Sequence, residues 1–298
     1  MKVLITGARG QVGTALTAAC TEVGIQHLGL GHRELDITDG AAVQAVLARE
    51  RPDFVINAAA FSDVAVAQGE ANLCYAINRD GAANLAQACE AVGAGLLYLS
   101  SDYVFDGLQA RPYTEKDKPN PRNVYGNSKL EGEEAVREYC SRHLVLRTSW
   151  VFSAEGNNFF MRSLERAMSG QPVKGVNDQI SCPTWAGHLA IVCVAMLQQV
   201  HCNIEPNLWG TYHYSDRGAT TRYEFARTIV AQAVQAGLAS ETQVQAIESA
   251  DLQNRAEEAR QSVLSSDHLF FTFGIRQRGW RQGLKSALEA VRQGQRAA

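Results

Sequence analysis

The residues best suited to chemistry are Tyr125 and Lys129, four residues apart in the segment NVYGNSKLEGEE, where the sequence predicts a helix. Residues i and i+4 share one face of a helix. A phenol ordinarily titrates near pH ~10, and a neighbouring ammonium group would lower that pKa toward the working pH. Such a tyrosine could protonate a carbonyl oxygen while a hydride arrives from a nicotinamide, and the lysine could bond the ribose hydroxyls. This spacing alone occurs by chance in many helices, but together with the glycine loop upstream and the run LYLSSDYVF between them it predicts carbonyl reduction.

A third candidate, Ser101, ends the apolar run LYLSS and lies between the glycine-rich N-terminus and the Tyr–Lys helix. Ligands of α/β proteins bind at the carboxyl ends of parallel strands. A hydroxyl there could donate a hydrogen bond to the substrate oxygen beside Tyr125. The alternative, that Ser101 only caps the strand end, stays open.

Gly7, Gly10 and Gly13 follow an apolar run directly and precede a helical pattern. Glycines allow a sharp turn and bring backbone N–H groups close to a pyrophosphate at the positive end of the helix. This context predicts a dinucleotide site, with a merely structural turn as the alternative.

The end of the second predicted strand indicates which dinucleotide binds. An NAD site usually has an acid there, but this chain has Gly31, then His32 and Arg33, with no acid before Glu34. Arg9 also lies inside the glycine loop. Nearby cations without an acid favour the 2′-phosphate of NADPH, while NADH stays possible. His32 and Arg33 are otherwise solvated loop residues.

These residues require a scaffold in which strands and helices alternate, which predicts an α/β Rossmann fold with a doubly wound parallel sheet. Predicted strands lie at Lys2–Thr6, Gln26–Leu30, Phe54–Ala58, Leu96–Ser101 and Leu144–Thr148, and predicted helices at Gln11–Val23, Ala41–Glu50, Ala71–Val92 and Val124–Tyr139. Because several strands are almost wholly apolar, we expect them to be buried on both faces.

The pattern loosens after Thr148. Residues 156–158 and 170–178 resemble loops, with a short helix at Phe159–Met168 between them. A helix near 184–198 and a strand near 211–214 should return to the sheet. A helix capped by Thr220 or Thr221 and ended by Gly237 follows, and a last helix begins at Trp280. We therefore predict a dinucleotide-binding core at 1–148, which 184–215 rejoins, and a smaller, mainly substrate-binding region at 149–298.

Composition excludes several function classes. A net charge of -3 and scattered basic residues argue against a nucleic-acid partner, and no segment is long and apolar enough for a membrane helix. The first residues, MKVLITG, are too short an apolar run for a signal peptide. Seven cysteines without a C-x-x-C pair predict reduced thiols in the cytoplasm. The histidines show no metal-binding spacing, so we expect no catalytic metal.

The motifs together resemble the extended short-chain dehydrogenase/reductase family, and within it the dTDP-4-dehydrorhamnose reductases, over nearly the whole chain. The similar segments are GARGQVG, LDITD, RPDFVINAAA, SSDYVFDG, NVYGNSKLEGE, LRTSWVF and NDQISCPT. The resemblance implies reduction by NADPH of the C4 keto group of a nucleotide-activated deoxysugar, converting dTDP-4-dehydro-L-rhamnose to dTDP-L-rhamnose. Relatives are monomers or homodimers, some with Mg²⁺, for which this sequence shows no clear ligand set.

The resemblance also implies roles for individual residues. The implied catalytic residues are Ser101, Tyr125 and Lys129. The implied cofactor-binding residues are Gly7, Arg9, Gly10, Gln11, Val12, Gly13, His32, Arg33, Asp36, Ile37, Ala58, Ala59, Ala60, Tyr125 and Lys129. The implied substrate-binding residues are Ser101, Asp102, Tyr103, Trp150, Asn177 and Gln179, with Trp150 packing against the sugar.

The chain departs from the family pattern at several positions. Ser101 stands where Thr is usual, Ser181 stands where Gly is usual, and the late segment 258–269 is a shortened form of the family's RPxxSxLDxxKL. The family's Asp, Lys and Glu are replaced by Ala65, Val66 and Gln68, which leaves the sugar open.

Two other functions therefore remain possible. One is a ketoreductase of another nucleotide deoxysugar. The other is an NADP-binding regulatory subunit similar to methionine adenosyltransferase beta, which acts through a partner protein and shares the SSDYVFDG motif. The RTSWVF and NDQ…PT segments favour the reductase.

Overall fold

The computed structural model describes residues 1–203, 208–252 and 256–297 of the chain, with side chains described as far as residue 294. Its centre is a six-stranded parallel sheet in the order β10-β5-β4-β3-β1-β2. The predicted doubly wound Rossmann fold is confirmed.

The strands are β1 (Lys2–Thr6), β2 (Gln26–Leu30), β3 (Phe54–Asn57), β4 (Gly95–Ser101), β5 (His143–Thr148), β6 (Val151–Phe152), β7 (Val173–Val176), β8 (Ile180–Ser181), β9 (Thr184–Trp185), β10 (Gly210–His213), β11 (Thr220–Thr221) and β12 (Val244–Ile247). The helices are α1 (Gln11–Glu22), α2 (Gly40–Glu50), α3 (Val64–Ala67), α4 (Ala71–Tyr75), α5 (Gly81–Val92), α6 (Val124–Tyr139), α7 (Phe159–Met168), α8 (Ala186–Cys202), α9 (Arg222–Gln235), α10 (Asp267–Phe273) and α11 (Trp280–Ala297). A π-helical turn at Ala76–Asp80 joins α4 to α5, so the helix predicted at Ala71–Val92 is present with one irregular turn.

Both faces of the central sheet are covered by apolar packing. Val3, Ile5 and Leu146 lie in a core with residues of α1 and α8, while Leu4 and Val55 lie in a second core on the other face with residues of α2, α5 and α6. The expectation that the apolar strands are buried on both sides is confirmed. Because all the pairings in this sheet are parallel, the carboxyl ends of its strands meet at one edge.

Most of the chain after β5, apart from α8, β10 and α10, builds a smaller structure over the carboxyl edge of the sheet. Its core packs side chains of α7, α9 and α11, including Phe160, Phe225 and Trp280. Thr221 caps α9 by accepting the backbone N–H of Glu224 at 3.1 Å, as predicted, and Gly237 follows the helix with a φ of 71°. The division at residue 148 stays a prediction.

One predicted loop is wrong. The polar, glycine-containing segment 170–178 contains β7, which pairs in parallel with β12. A strand whose ladder forms with residues so distant in sequence carries little local signal, since pairing and not propensity stabilises it. Among the described residues, no helix is both long and apolar enough to cross a membrane.

Candidate active site

A cavity of about 820 Å³ opens at the carboxyl edge of the central sheet. One wall comes from the glycine loop, the end of β4 and helix α6, and the other comes from the segments after β5. The candidate residues on the first wall are Gly10, Gln11, Val12, Ala58, Ala60, Ser101, Asp102, Tyr103, Tyr125 and Lys129, and Trp150 lies on the second. The structure therefore brings most of the predicted site together.

The glycine loop has the geometry that a pyrophosphate needs. Gly7 has a φ of 65°, and a Cβ there would lie 2.5 Å from the backbone nitrogen of Ala59. A Cβ on Gly13 would lie 2.1 Å from the Gly7 oxygen. Only glycines permit this close approach at the N-terminus of α1, where free N–H groups favour an anion. The residues present therefore fit a dinucleotide, and Ala59, which follows β3 and packs its backbone against Gly7, does not line the cavity.

The predicted adenosine-side residues lie beyond the glycine loop, at the end of β2. His32 and Arg33 are exposed, and Ile37 is buried against α5. Asp36 accepts the backbone N–H and the hydroxyl of Thr38, and these hydrogen bonds lower its pKa. None of these four residues lines the cavity as far as the structure describes it.

The end of β2 differs from the sequence-based interpretation. Glu34 returns to the strand end, where its Oε2 accepts the Gly31 N–H at 2.8 Å and its Oε1 accepts Arg9 Nη2 at 2.7 Å. A carboxylate therefore does lie at the end of β2, and it is already paired with Arg9, the predicted phosphate-binding arginine.

Tyr125, Ser101 and Lys129 meet at the carboxyl end of β4. Lys129 Nζ donates to the carbonyl of Leu99 at 2.7 Å, and the Ser101 hydroxyl lies near enough to Tyr125 to influence the pKa of the phenol. Asn123 caps α6 by accepting the Gly126 N–H at 2.8 Å, which sets where the helix begins and so where Tyr125 faces. The three residues predicted from spacing thus occupy one small volume.

The expected lowering of the Tyr125 pKa is wrong. Burial raises the pKa of Tyr125 to about 12, although the hydrogen bond with Ser101 opposes that rise. Burial also lowers the pKa of Lys129 to about 7, with the Glu133 carboxylate opposing the shift. Removing either group from water disfavours its charged form, so Tyr125 is a neutral phenol throughout the physiological range.

Behind Ser101, three hydroxyls converge on the buried carboxylate of Asp102. Ser101 donates to Oδ1 at 3.1 Å, while Ser262 and Ser181 donate to Oδ2 at 2.5 and 3.3 Å. Burial raises the pKa of Asp102 to about 6, and the three serines and then Arg222 act in the opposite direction. Ser181, the departure from the family pattern, therefore adds a donor to this cluster.

The second wall carries a cation that the sequence did not reveal. The Arg222 guanidinium lies 4.3 Å from the centre of the Trp150 ring and 5.4 Å from that of Phe159, and all three line the cavity. Among the described residues, none hydrogen-bonds the buried Nε of Arg222. Trp150 itself has a φ of 39°, a left-handed conformation that is uncommon outside glycine and is concentrated at functional sites. Arg222 was missed because an arginine at the start of an amphipathic helix resembles a solvated residue.

The other predicted substrate-binding residues differ in whether they lie at the cavity. The rings of Tyr103 and Tyr125 meet edge to face with centres 5.4 Å apart. Gln179 is buried in a small pocket beside Asp102 and Trp150, where its Oε1 has no hydrogen-bond partner within the described part of the chain. Asn177 is exposed, accepts the Thr221 hydroxyl at 3.1 Å and does not line the cavity.

The three substituted positions 65, 66 and 68 differ in their relation to the cavity. Ala65 lines it, Val66 is 48% exposed, and Gln68 Oε1 accepts the backbone N–H of Val124 at 3.4 Å. Within residues 1–203, 208–252 and 256–297, no group of three His, Cys, Asp or Glu side chains could hold a metal ion.

Comparison with known proteins identifies the family. Residues 1–293 match the family model described as the RmlD substrate binding domain. A dTDP-4-dehydrorhamnose reductase of Sinorhizobium fredii is 33% identical over 291 residues, 98% of each chain. The crystal structure of a dTDP-4-dehydrorhamnose reductase from Clostridium acetobutylicum is similar with a TM-score of 0.90 and 32% identity, covering 98% of this chain and 100% of that one. A Bacillus anthracis dTDP-4-dehydrorhamnose reductase, solved in complex with NADP, is similar with a TM-score of 0.89 and 32% identity, covering 97% of this chain and 99% of that one. The chain therefore belongs to the RmlD substrate binding domain family, together with these reductases.

Proposed function

We propose that the chain is an NADPH-dependent oxidoreductase that reduces the C4 keto group of dTDP-4-dehydro-L-rhamnose to give dTDP-L-rhamnose. The observation that carries the proposal is that Ser101, Tyr125 and Lys129 line one cavity together with the glycine loop. The relatives bear the name of this reaction, and one of them was solved with NADP.

The first wall supplies the acid for carbonyl reduction. Bound NADPH supplies a hydride to the C4 carbon. Tyr125 is protonated at neutral pH because burial raises its pKa to about 12, and a neutral phenol is the form that can donate a proton to the C4 oxygen. Ser101, held by the hydrogen bond that it donates to Asp102 Oδ1, lies beside Tyr125 and positions the phenol against the C4 oxygen. Lys129, fixed on the Leu99 carbonyl, lies one helical turn from Tyr125 and is positioned to bond cofactor hydroxyls.

The second wall suits the rest of the substrate. Arg222, Arg162 and Lys174 line this part of the cavity and carry the positive charge that a diphosphate requires. The rings of Trp150, Phe159 and Phe225 lie on the same wall and offer apolar faces to the sugar and the base. A nucleotide sugar combines these chemical features, whereas a small uncharged ketone would make no use of the positive charge.

The test is NADPH oxidation by the purified protein with dTDP-4-dehydro-L-rhamnose, in the wild type and in Tyr125→Phe. We expect turnover in the wild type and a loss of about 100-fold or more in the variant, since general acid catalysis contributes roughly 10²–10⁴-fold. NADPH affinity, measured by the fluorescence of the bound nucleotide, should stay within about twofold because the ring is retained. Near-normal turnover by Tyr125→Phe would contradict the assignment.

A further inference from the structure

A small pocket adjoins the cavity beside the candidate catalytic tyrosine. Tyr103, Trp150 and Glu258 line both spaces, whereas Gln179 lines the pocket alone. The centre of the Tyr103 ring lies 5.4 Å from that of Tyr125. The pocket is therefore close to the place where Tyr125 would protonate the C4 oxygen, and it can receive substituents on the carbons near C4.

Two side chains present hydrogen-bond acceptors to this pocket. Glu258 carries a carboxylate, and an ionised carboxylate only accepts hydrogen bonds. Gln179 is 4% exposed, and no group in residues 1–203, 208–252 and 256–297 donates to its buried Oε1. A buried acceptor without a donor costs free energy, so a ligand that brings donors is favoured there. The ring hydroxyls of a sugar are such donors, whereas a diphosphate only accepts and is repelled by the carboxylate.

The backbone on both sides of Glu258 is held against the first wall. Asn123 Nδ2, at the start of α6, donates to the carbonyl of Glu257 at 2.8 Å. On the other side, Ala259 packs so closely on Gly107 that a Cβ on this glycine would lie 2.4 Å from the Ala259 Cβ. A carboxylate carried by a fixed backbone has less freedom to lose when it binds a ligand.

Glu258 is also a charge reversal relative to the family pattern. The late segment resembles RPxxSxLDxxKL, and Glu258 stands at its first position, where the pattern has an arginine. This chain therefore presents an acceptor of hydrogen bonds where the pattern has a cationic donor. The difference is of the kind that changes which chemical group is recognised.

We propose that Glu258, with Gln179 beside it, binds the ring hydroxyls of the sugar. In a 4-keto-6-deoxy sugar these hydroxyls are those at C2 and C3. The chain therefore selects 4-keto sugars that retain them over analogues that lack one, because a site built to bond a hydroxyl is left with unpaired polar groups when the hydroxyl is missing. This inference rests on the proposed function, in that the cavity holds a nucleotide-activated 4-keto sugar.

The test compares dissociation constants of dTDP-L-rhamnose and of dTDP, measured by calorimetry on protein saturated with NADP⁺. The two ligands differ only in the sugar, and no turnover is needed. Glu258→Gln keeps the shape of the side chain and removes its charge. We expect it to weaken dTDP-L-rhamnose about tenfold, the effect of losing a hydrogen bond to a charged group, and to leave dTDP within about twofold.

Glu257→Gln is the matched control. It makes the same change of charge at the neighbouring residue, which is exposed and pairs with Arg122 at 2.9 Å, and it keeps the carbonyl that Asn123 bonds. A loss of dTDP-L-rhamnose affinity in Glu258→Gln no larger than in Glu257→Gln would overturn the inference. An equal loss of affinity for dTDP would overturn it too, since Glu258 would then not act on the sugar.

Changing the ligand separates a direct contact from an indirect one. Without its hydroxyl at C2 or at C3, dTDP-L-rhamnose should bind the wild type about tenfold more weakly for at least one of the two positions. Glu258→Gln should not weaken that deoxy ligand further, because the hydroxyl is already absent. Further weakening by the same factor would contradict the contact. The proposed function fails on a different result, the absence of NADPH oxidation by the wild type with dTDP-4-dehydro-L-rhamnose.

Discussion

The two walls of the cavity are built in different ways. On the wall formed by the sheet and α6, Ser101 and Lys129 are held by main-chain structure: one ends a central strand and the other bonds the carbonyl of Leu99 in that strand. On the opposite wall, Trp150 and Arg222 come from distant segments and meet by stacking of a guanidinium on a ring. We infer that the first wall positions the reacting atoms and the second holds the remainder of the ligand.

The packing behind each wall supports that division. Behind Lys129, Glu133 accepts two hydrogen bonds from Arg147, at 2.8 and 2.6 Å, and one from Ser100 at 2.6 Å, all buried. A buried ion pair with its hydrogen bonds satisfied rigidifies its surroundings. Behind Arg222 the support is a group of aromatic rings, in which Phe225 packs on Trp280 with ring centres 5.3 Å apart. Apolar packing fixes shape with less directional constraint than a hydrogen-bond network.

The largest difference should come from Arg222→Gln on the second wall. We expect KM for the nucleotide sugar to rise roughly 10- to 100-fold, because a hydrogen bond to a charged group contributes about 1.5–3 kcal/mol. Arg222 also lowers the pKa of Asp102, so kcat should be compared above pH ~8, where that carboxyl is ionised with or without Arg222. In that pH range, kcat of Arg222→Gln should differ little from kcat of the wild type.

Arg227→Gln provides the control for this measurement. Arg227 lies in the same helix, is 57% exposed and pairs with Glu224 at 3.0 Å. A KM for Arg222→Gln no higher than that of Arg227→Gln would remove the case for a ligand-holding second wall.

Ser262→Ala, behind the first wall, should have a smaller effect, and that effect should be on kcat and not on KM. An ionised Asp102 only accepts hydrogen bonds and so fixes the direction of the Ser101 hydroxyl, whereas a protonated one can also donate. Ser262 lowers the pKa of Asp102, so its removal should raise that pKa above about 6. We expect kcat near pH ~6.5 to fall roughly fivefold and to recover as pH rises, with KM unchanged.

The profile of kcat against pH checks this, with Ser265→Ala as the control. Ser265 belongs to the same segment but bonds Asp267. If kcat falls at the same acidic pH in wild type, Ser262→Ala and Ser265→Ala, then Ser262 does not act through Asp102.

The difference between the walls also explains what the sequence could predict. The alternation of apolar strands and helices and the positions of Tyr125 and Lys129 are local patterns, and the structure retains them. Arg222 lies far along the chain from Trp150, so their stacking has no local signature. Nor does β7, whose ladder is formed with β12.

Two further errors of interpretation are also physical in origin. The sequence placed Lys129 beside Tyr125 but did not show how deeply both are buried, and burial decided the direction of their pKa shifts. Glu34 was judged too late in the chain to serve the end of β2, yet a short turn returns its carboxylate to Gly31. Side-chain reach and solvent exposure depend on the folded environment.

The most direct test of the account is to follow the hydride itself. NADPH carrying deuterium at both C4 positions of the dihydronicotinamide would be reacted with dTDP-4-dehydro-L-rhamnose under single-turnover conditions, and the label located by NMR and mass spectrometry. The account predicts one deuterium on C4 of the sugar, formed much more slowly by Tyr125→Phe. A product without deuterium, or with deuterium at another carbon, would contradict it.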